Sequence, residues 1–406
     1  MKPSPTLERV ERGSLCAGCG LCAGISNEAL AMRMAPPGYA RPRQRAPLAA
    51  DAEAVFADVC PGLVVEPWRA PEGGHIDHHW GPIATCATGH AADPAVRHTG
   101  SSGGAISALA IHALRTELAR QVLHVDADPD RPTGNRSVLS TTPEEVLSRA
   151  GSRYAPSSPL QGIERVLASG VPTVFIGKPC DVSALRRLAR HDVRVDEVFV
   201  LKLSFFCGGI PSSGGADRIV SAMGLAPDRL ARFRYRGDGW PGLTVAEEAG
   251  GARGEMTYEE SWGRYLSSQV QFRCKICPDP VCGVADIACA DAWYGGESGY
   301  PQFDEADGRS LILARTEFGR TVLDAATAAG AVAIEPLDPA EIHLMQPAQA
   351  RRKRRITARM AAWRLAGRPV PRISGLGAAE ARREERWILL AKEFLGTTKR
   401  IVQGRI

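Results

Sequence analysis

An α/β fold is predicted for the body of this 406-residue chain, with a small cysteine-rich segment ahead of it and a basic helical tail behind. Three observations predict it. Apolar strand-like runs alternate with amphipathic helical patterns through the middle of the sequence, cysteines gather on both sides of those runs, and the sign of the charge changes near residue 350. A hydrophobic share of 44% with 23% charged residues is the balance of a globular protein with a sizeable core, which excludes wholesale disorder. The length fits two or three domains.

In chain order, Glu8 and Glu11 stand where a signal peptide needs its apolar region, and no run approaches the length of a membrane helix, so the chain is read as cytoplasmic. Strands are predicted over Arg120 to Val125, Pro172 to Ile176 and Val198 to Phe206. Helices are predicted over Gly103 to Leu118, Thr142 to Ala150 and Asp181 to Ala189, the last with Asp181 as its N-cap. Residues 351 to 406 carry 16 Lys and Arg against 4 Glu, a net of +12, leaving 34 against 41 before them, a net of −7. The run Arg351-Arg352-Lys353-Arg354-Arg355 reads first as a water-facing helix surface, and otherwise as a grip for nucleic acid, anionic lipid or an acidic protein such as a ferredoxin.

Eleven cysteines in a chain read as cytoplasmic point to metal or catalysis. Cys16-Ala-Gly-Cys19-Gly-Leu-Cys22 offers three thiolates at spacings that wrap a corner of an iron–sulfur cube, and Cys60, followed by Pro61, is the candidate fourth ligand. A single zinc ion is the lesser reading, because a third cysteine two residues on crowds a mononuclear tetrahedron. Farther on, Cys274, Cys277, Cys282 and Cys289 alone make a complete four-cysteine set. Cys289, in an apolar strand, reads as core filler; the set then needs single cysteines from elsewhere. Cys180 and Cys207 each end a predicted core strand, where open α/β sheets bind ligands. Cys180 also has a reading as a thiolate nucleophile beside Lys178. His98-Thr-Gly-Ser101-Ser102-Gly103-Gly104 leads into an apolar helix, and its small residues, hydroxyls and helix N-terminus suit a nucleotide phosphate.

These motifs closely resemble the beta subunits of coenzyme F420 hydrogenases and dehydrogenases, whose relatives include the 7-hydroxymethyl chlorophyll reductases and ferredoxin-dependent 8-vinyl reductases. The resemblance is carried, over about residues 14 to 320, by the Cys16 to Cys22 group, Ser102-Gly-Gly104, Gly177-Lys-Pro-Cys180, Phe206-Cys-Gly-Gly-Ile-Pro-Ser212, Tyr235-Arg-Gly-Asp-Gly-Trp-Pro-Gly242, Cys274-Lys-Ile-Cys-Pro-Asp279, and Asp291-Ala-Trp293. It implies an oxidoreductase with FAD and one or two [4Fe-4S] clusters. Cys282 lies outside the family pattern, so the resemblance implies Cys180, Cys207, Cys274 and Cys277 as the second ligand set beside Cys16, Cys19, Cys22 and Cys60. It places the flavin on Ser101, Ser102, Gly103, Gly104, Ser152 and Lys178, with His98, Tyr154 and Asp291 as candidate proton donors.

The expected fold is thus a central flavin-binding α/β domain (81–345) with an N-terminal ferredoxin-like iron–sulfur segment (1–80) and a basic helical C-terminal tail (346–406). The expected function is to pass single electrons from ferredoxin or a partner subunit through the clusters to FAD, which delivers pairs to a small organic acceptor such as a tetrapyrrole. The alternative within the family is a subunit that reduces or oxidises coenzyme F420. A zinc-stabilised nucleic-acid binder is the distant rival, weakened by an aromatic content of 6% and by the lack of any finger pattern with histidines. A thiol-dependent transferase built on Cys180 stands beside it. Homo-oligomerisation is left open.

Overall fold

The computed structural model describes residues 2–295 and 301–404. Its centre is one eight-stranded sheet: β1 (Thr85–Ala91), β2 (Gln121–Ala127), β3 (Asn135–Ser140), β4 (Thr173–Gly177), β5 (Leu201–Phe205), β6 (Ile287–Asp291), β7 (Ser310–Ala314) and β8 (Val332–Pro336), in the order β8-β1-β7-β6-β5-β4-β2-β3. The four strands β2, β4, β5 and β6 run parallel, while β3, β7, β1 and β8 extend the two sides antiparallel. Parallel strands are covered on both faces, and their side chains alternate accordingly. Leu123, Phe175, Ala288 and Leu313 enter one core; Val122, Val174, Leu203 and Ile312 enter the other.

Helix α1 (Ala105–Arg115) covers the second of these faces and α2 (Pro179–Leu188) the first. The α1 apolar residues Leu109, Ala110 and Ala113 are fully buried there. Helix α2 starts earlier than expected. Pro179 occupies its first turn, where a missing amide hydrogen costs nothing, so Lys178 and not Asp181 is the N-cap. Asp181 lies in the first turn, and its carboxylate accepts the Lys178 amide at 3.1 Å. The expected strand at Val198 is also shorter. Arg194–Val198 forms a helical turn, and β5 begins only at Leu201.

Three further pieces position the site. A three-stranded antiparallel sheet of Leu230–Arg234, Thr244–Glu248 and Arg253–Met256 surrounds a small core with Phe233, Tyr235 and Met256. The N-terminal segment holds a hairpin, Leu30–Ala35 with Tyr39–Gln44, and the helix Ala50–Val59, which Cys60 caps. The tail is helical: α3 (Pro347–Leu365), α4 (Ala378–Arg383) and α5 (Trp387–Val402). No helix among the described residues is long and apolar enough to cross a membrane.

Only Arg351 of the basic run at the head of α3 is exposed to water; the other four cations are partly or fully buried. Lys353 is 1% exposed, lies 3.9 Å above the Trp68 ring and donates to the Pro278 carbonyl at 2.6 Å. Arg352 donates to the Cys207 and Gly208 carbonyls at 3.0 and 2.7 Å, and Arg355 pairs with Glu385 at 2.6 Å. Farther along, Trp363 stacks on Phe272 with ring centres 3.8 Å apart and shares a core with Val10, Leu15 and Leu63. Arg352 and Lys353 thus cap backbone carbonyls, while Arg355 holds a carboxylate.

Candidate functional site

Two sets of four cysteines converge at the carboxyl edge of the parallel strands and on the segment that precedes the sheet. Cys16, Cys19, Cys22 and Cys60 form the first, each within electrostatic reach of others in the set. Cys180, just after β4, Cys207, just after β5, and Cys274 with Cys277, from the turn Phe272–Lys275 and its continuation, form the second. The eight thiols thus lie in two groups of neighbours. Cys282 and Cys289 sit elsewhere in the apolar core, both buried, and Cys86 is a third separate thiol.

Both sets offer thiols with backbone donors beside them, which fits the ligand shell of an iron–sulfur cluster. Backbone amides point at the sulfurs: Gly18 N to Cys16 Sγ at 3.4 Å and Ile210 N to Cys274 Sγ at 3.4 Å. Each set requires one glycine. Gly20, at φ +84°, would bring a β-carbon to 2.9 Å from the Gln161 amide; Gly209, at φ +113°, would bring one to 2.5 Å from Val270. Burial first and neighbouring thiols second push Cys60 and Cys207 up to about 12, so each cage favours a cationic occupant over free thiolates. No three cysteine sulfurs among the described residues lie within 4.8 Å of one another. Four thiolates around one zinc ion at about 2.3 Å stand only about 3.8 Å apart, so the wider sets suit a cluster of several irons.

Between the sets lies an ion pair. Lys178 Nζ reaches Asp181 Oδ2 at 2.7 Å and Ser157 Oγ at 2.9 Å, all three residues being buried. Burial alone would lower the lysine pKa, but Asp181, then Cys180 and Cys19, hold it above the ordinary lysine value. The Lys178 ammonium therefore faces one cysteine of each set. Burial and the Asp181 charge together push Cys180 well above a free thiol, opposite to what a thiolate nucleophile needs.

The second set borders a cavity of about 820 Å³, within the usual range for cofactor pockets. Ser101, Ser102 and Gly104 line one end, where α1 begins at Gly104 with no side-chain cap. Ser101 Oγ and Ser152 Oγ are 2.6 Å apart, and the buried Ser102 hydroxyl has no partner. An uncapped helix N-terminus with an orphaned hydroxyl beside it fits a phosphate. Lys178, Arg149, Arg351, Arg352 and Arg354 also border this space, giving it the charge an anionic nucleotide needs. Tyr154, Tyr258, Trp262 and Trp293 supply aromatic walls, with the Tyr154 and Trp262 ring centres 5.0 Å apart.

Three expected site residues are placed differently from their assigned roles. His98 is exposed in the helical turn Pro94–Thr99, outside the cavity, and its carbonyl holds the Gly239 amide at 3.1 Å. Gly103 packs on the backbone of Gly308, 2.9 Å from where its β-carbon would stand, and does not line the cavity. Asp291 borders the cavity, but its carboxylate takes both Arg236 nitrogens at 2.8 and 2.6 Å and Trp240 Nε1 at 2.7 Å. An acid so fully engaged as an acceptor is a poor proton donor. Sequence reading missed the contribution of α3, whose Arg352 caps Cys207 and whose Gln349, Arg351 and Arg354 wall the cavity. Its only signal was the basic run itself.

Comparison with known proteins agrees with this fold. Residues 86–164 match the model for the N-terminal part of the coenzyme F420 hydrogenase/dehydrogenase beta subunit, and residues 172–340 match the model for its C-terminal part, together more than half the chain. Coenzyme F420 hydrogenase subunit beta of Methanococcus voltae is 27% identical over 301 residues, 72% of this chain and 99% of that protein. The chloroplastic 7-hydroxymethyl chlorophyll a reductase of Oryza sativa subsp. japonica is 25% identical over 221 residues, 54% of this chain; the match spans 45% of the reductase, less than half its length. Among solved structures, a chain of the F420-reducing [NiFe] hydrogenase complex from Methanosarcina barkeri shares the fold, with a TM-score of 0.55, 19% identity, and coverage of 73% of this chain and 98% of that one.

Proposed function

The chain belongs to the coenzyme F420 hydrogenase/dehydrogenase beta subunit family, and from that premise we propose that it is an iron–sulfur flavoprotein oxidoreductase relaying electrons from a ferredoxin or partner subunit to a small organic acceptor. The observation that carries the reading is the contact between the second cysteine set and the cavity: Cys207 is at once a member of the set and part of the cavity wall. The two sets would hold clusters that supply one-electron transfer, and the cavity lining would hold a FAD that supplies the coupling of single electrons to a two-electron reduction. Everything else is done by the chain. Amides and the Lys178 ammonium stabilise negative charge near the sulfurs. Ser101, Ser102, Ser152 and the α1 N-terminus take the phosphates. The Asp291–Arg236 pair fixes the aromatic wall, since Arg236 also lies 4.7 Å from the Tyr258 ring centre and 4.9 Å from that of Trp293. Tyr154, in the cavity wall, is the retained candidate for proton delivery.

A second reading, that the acceptor or donor is coenzyme F420 and not a tetrapyrrole, is favoured by the near-complete coverage of the Methanococcus voltae subunit. Anaerobic purification followed by a visible spectrum with iron, sulfide and flavin analysis tests the common core. About eight irons with one flavin per chain are expected. A colourless protein holding zinc overturns it. Reduced protein offered F420 or a chlorophyll-type tetrapyrrole then separates the two acceptors by which one oxidises it.

A further inference from the structure

Away from the cysteines and the cavity end that takes the phosphates, one other set of ligand-type side chains converges. The short hairpin of His75–Asp77 and Gly81–Ile83 turns through Asp77, His78 and His79, and one ligand atom from each of the three lies within 4.8 Å of the others. Asp77 fixes the turn with Oδ1, which accepts the His79 and Trp80 amides at 2.7 Å each, so the carboxylate is anchored while its other oxygen makes no such bond. His79 is 2% exposed, and its Nε2 has no hydrogen-bond partner even though Glu384 Oε2 stands 3.3 Å away. The other oxygen of Glu384 meets His78 Nε2. One carboxylate, at the C-terminal end of α4, therefore meets both imidazoles.

Two imidazoles and the Asp77 carboxylate converge, with Glu384 against both imidazoles as a further oxygen donor; a mixed nitrogen and oxygen set suits a borderline divalent ion such as zinc, whereas magnesium and calcium prefer oxygen alone. A metal would also satisfy the buried His79 Nε2, which makes no hydrogen bond. We propose that Asp77, His78, His79 and Glu384 form a divalent transition-metal site, separate from the cysteine sets, that takes zinc and clamps the tail to the hairpin. Gly377, at the start of α4, already packs so closely on His78 that a β-carbon would stand 2.4 Å from its carbonyl oxygen. Glu385, next to Glu384, holds Arg355 of α3, the helix whose Arg352 and Arg354 border the cavity. An ion here would fix that wall from behind.

The test is equilibrium dialysis of chelator-washed, anaerobically purified protein against zinc, with iron measured on the same sample so that thiols freed by cluster loss are detected. Wild type should hold about one more zinc per chain than His78→Ala, and Glu384→Gln should bind it at least about ten-fold more weakly, at unchanged iron. The His78 side chain is 36% exposed, so its removal opens no core void. Should His78→Ala lose iron, Glu384→Gln, which keeps shape and volume, decides the matter. Equal zinc affinity in wild type and the iron-retaining variants overturns the site.

Discussion

The two cysteine sets solve one chemical problem from opposite directions of the chain. The first takes three of its four members from seven consecutive residues, and the fourth from the end of one helix within the same segment. The second takes its members from three segments spread over almost a hundred residues, brought together because β4 and β5 are parallel neighbours whose carboxyl ends lie side by side. Local spacing builds the first cage; sheet topology builds the second. The difference extends to position: of the two sets, only the fold-built one borders the cavity, through Cys207. A cage built by topology can be placed at a chosen sheet edge, whereas one built on a local loop must be carried to its place by the segment that holds it.

The largest expected effect separates the two cages. Cys19→Ser and Cys277→Ser should each remove about half the iron, and only the second should also disturb flavin binding, since its cage shares a wall with the cavity. Loss of all iron from either variant would show the cages to be one cooperative unit and break the comparison. Lys178→Met acts on both at once, because it leaves Asp181 charged and buried between them. A cost of about 3–5 kcal/mol is expected, read as a fall in denaturation midpoint; an unchanged midpoint would mean that Asp181 takes up a proton. The smallest effect sharpens the membership of the second cage. Cys282→Ala should leave iron content unchanged and shift stability by no more than about 1 kcal/mol, whereas loss of iron would put Cys282 back among the ligands.

The same contrast explains what the sequence revealed. Cys16, Cys19 and Cys22 announce themselves by spacing, and β2, β4 and β5 by apolar runs near the expected positions. The grouping of Cys180 and Cys207 with Cys274 and Cys277 rested on family likeness, since no local pattern states which strand ends become neighbours. Charge was legible only as a total. Spacing along α3 does not show that Lys353 lies over Trp68 or that Arg352 caps Cys207, because both depend on a loop more than a hundred residues away. His98, Gly103 and Asp291 show a similar limit: proximity in sequence to a binding segment does not give direction, and all three serve backbone or salt-bridge contacts.

Gly20 and its neighbours have a consequence for how the protein is made. The Cys16 to Cys22 loop is seated on residues 158–161: Leu160 N donates to the Cys19 carbonyl at 3.0 Å, and Ser158 Oγ to the Gly18 carbonyl at 2.9 Å. On the ribosome, the first cysteines emerge long before the surface that shapes their loop, and the second cage stays open until Cys277 and then α3 have followed. The second set is therefore complete, with its Arg352 cap, only once nearly the whole chain has been made. A nascent protein stalled before residue 347 lacks the arginine that closes over Cys207, and truncation of the tail would be felt as a defect in maturation as well as in docking.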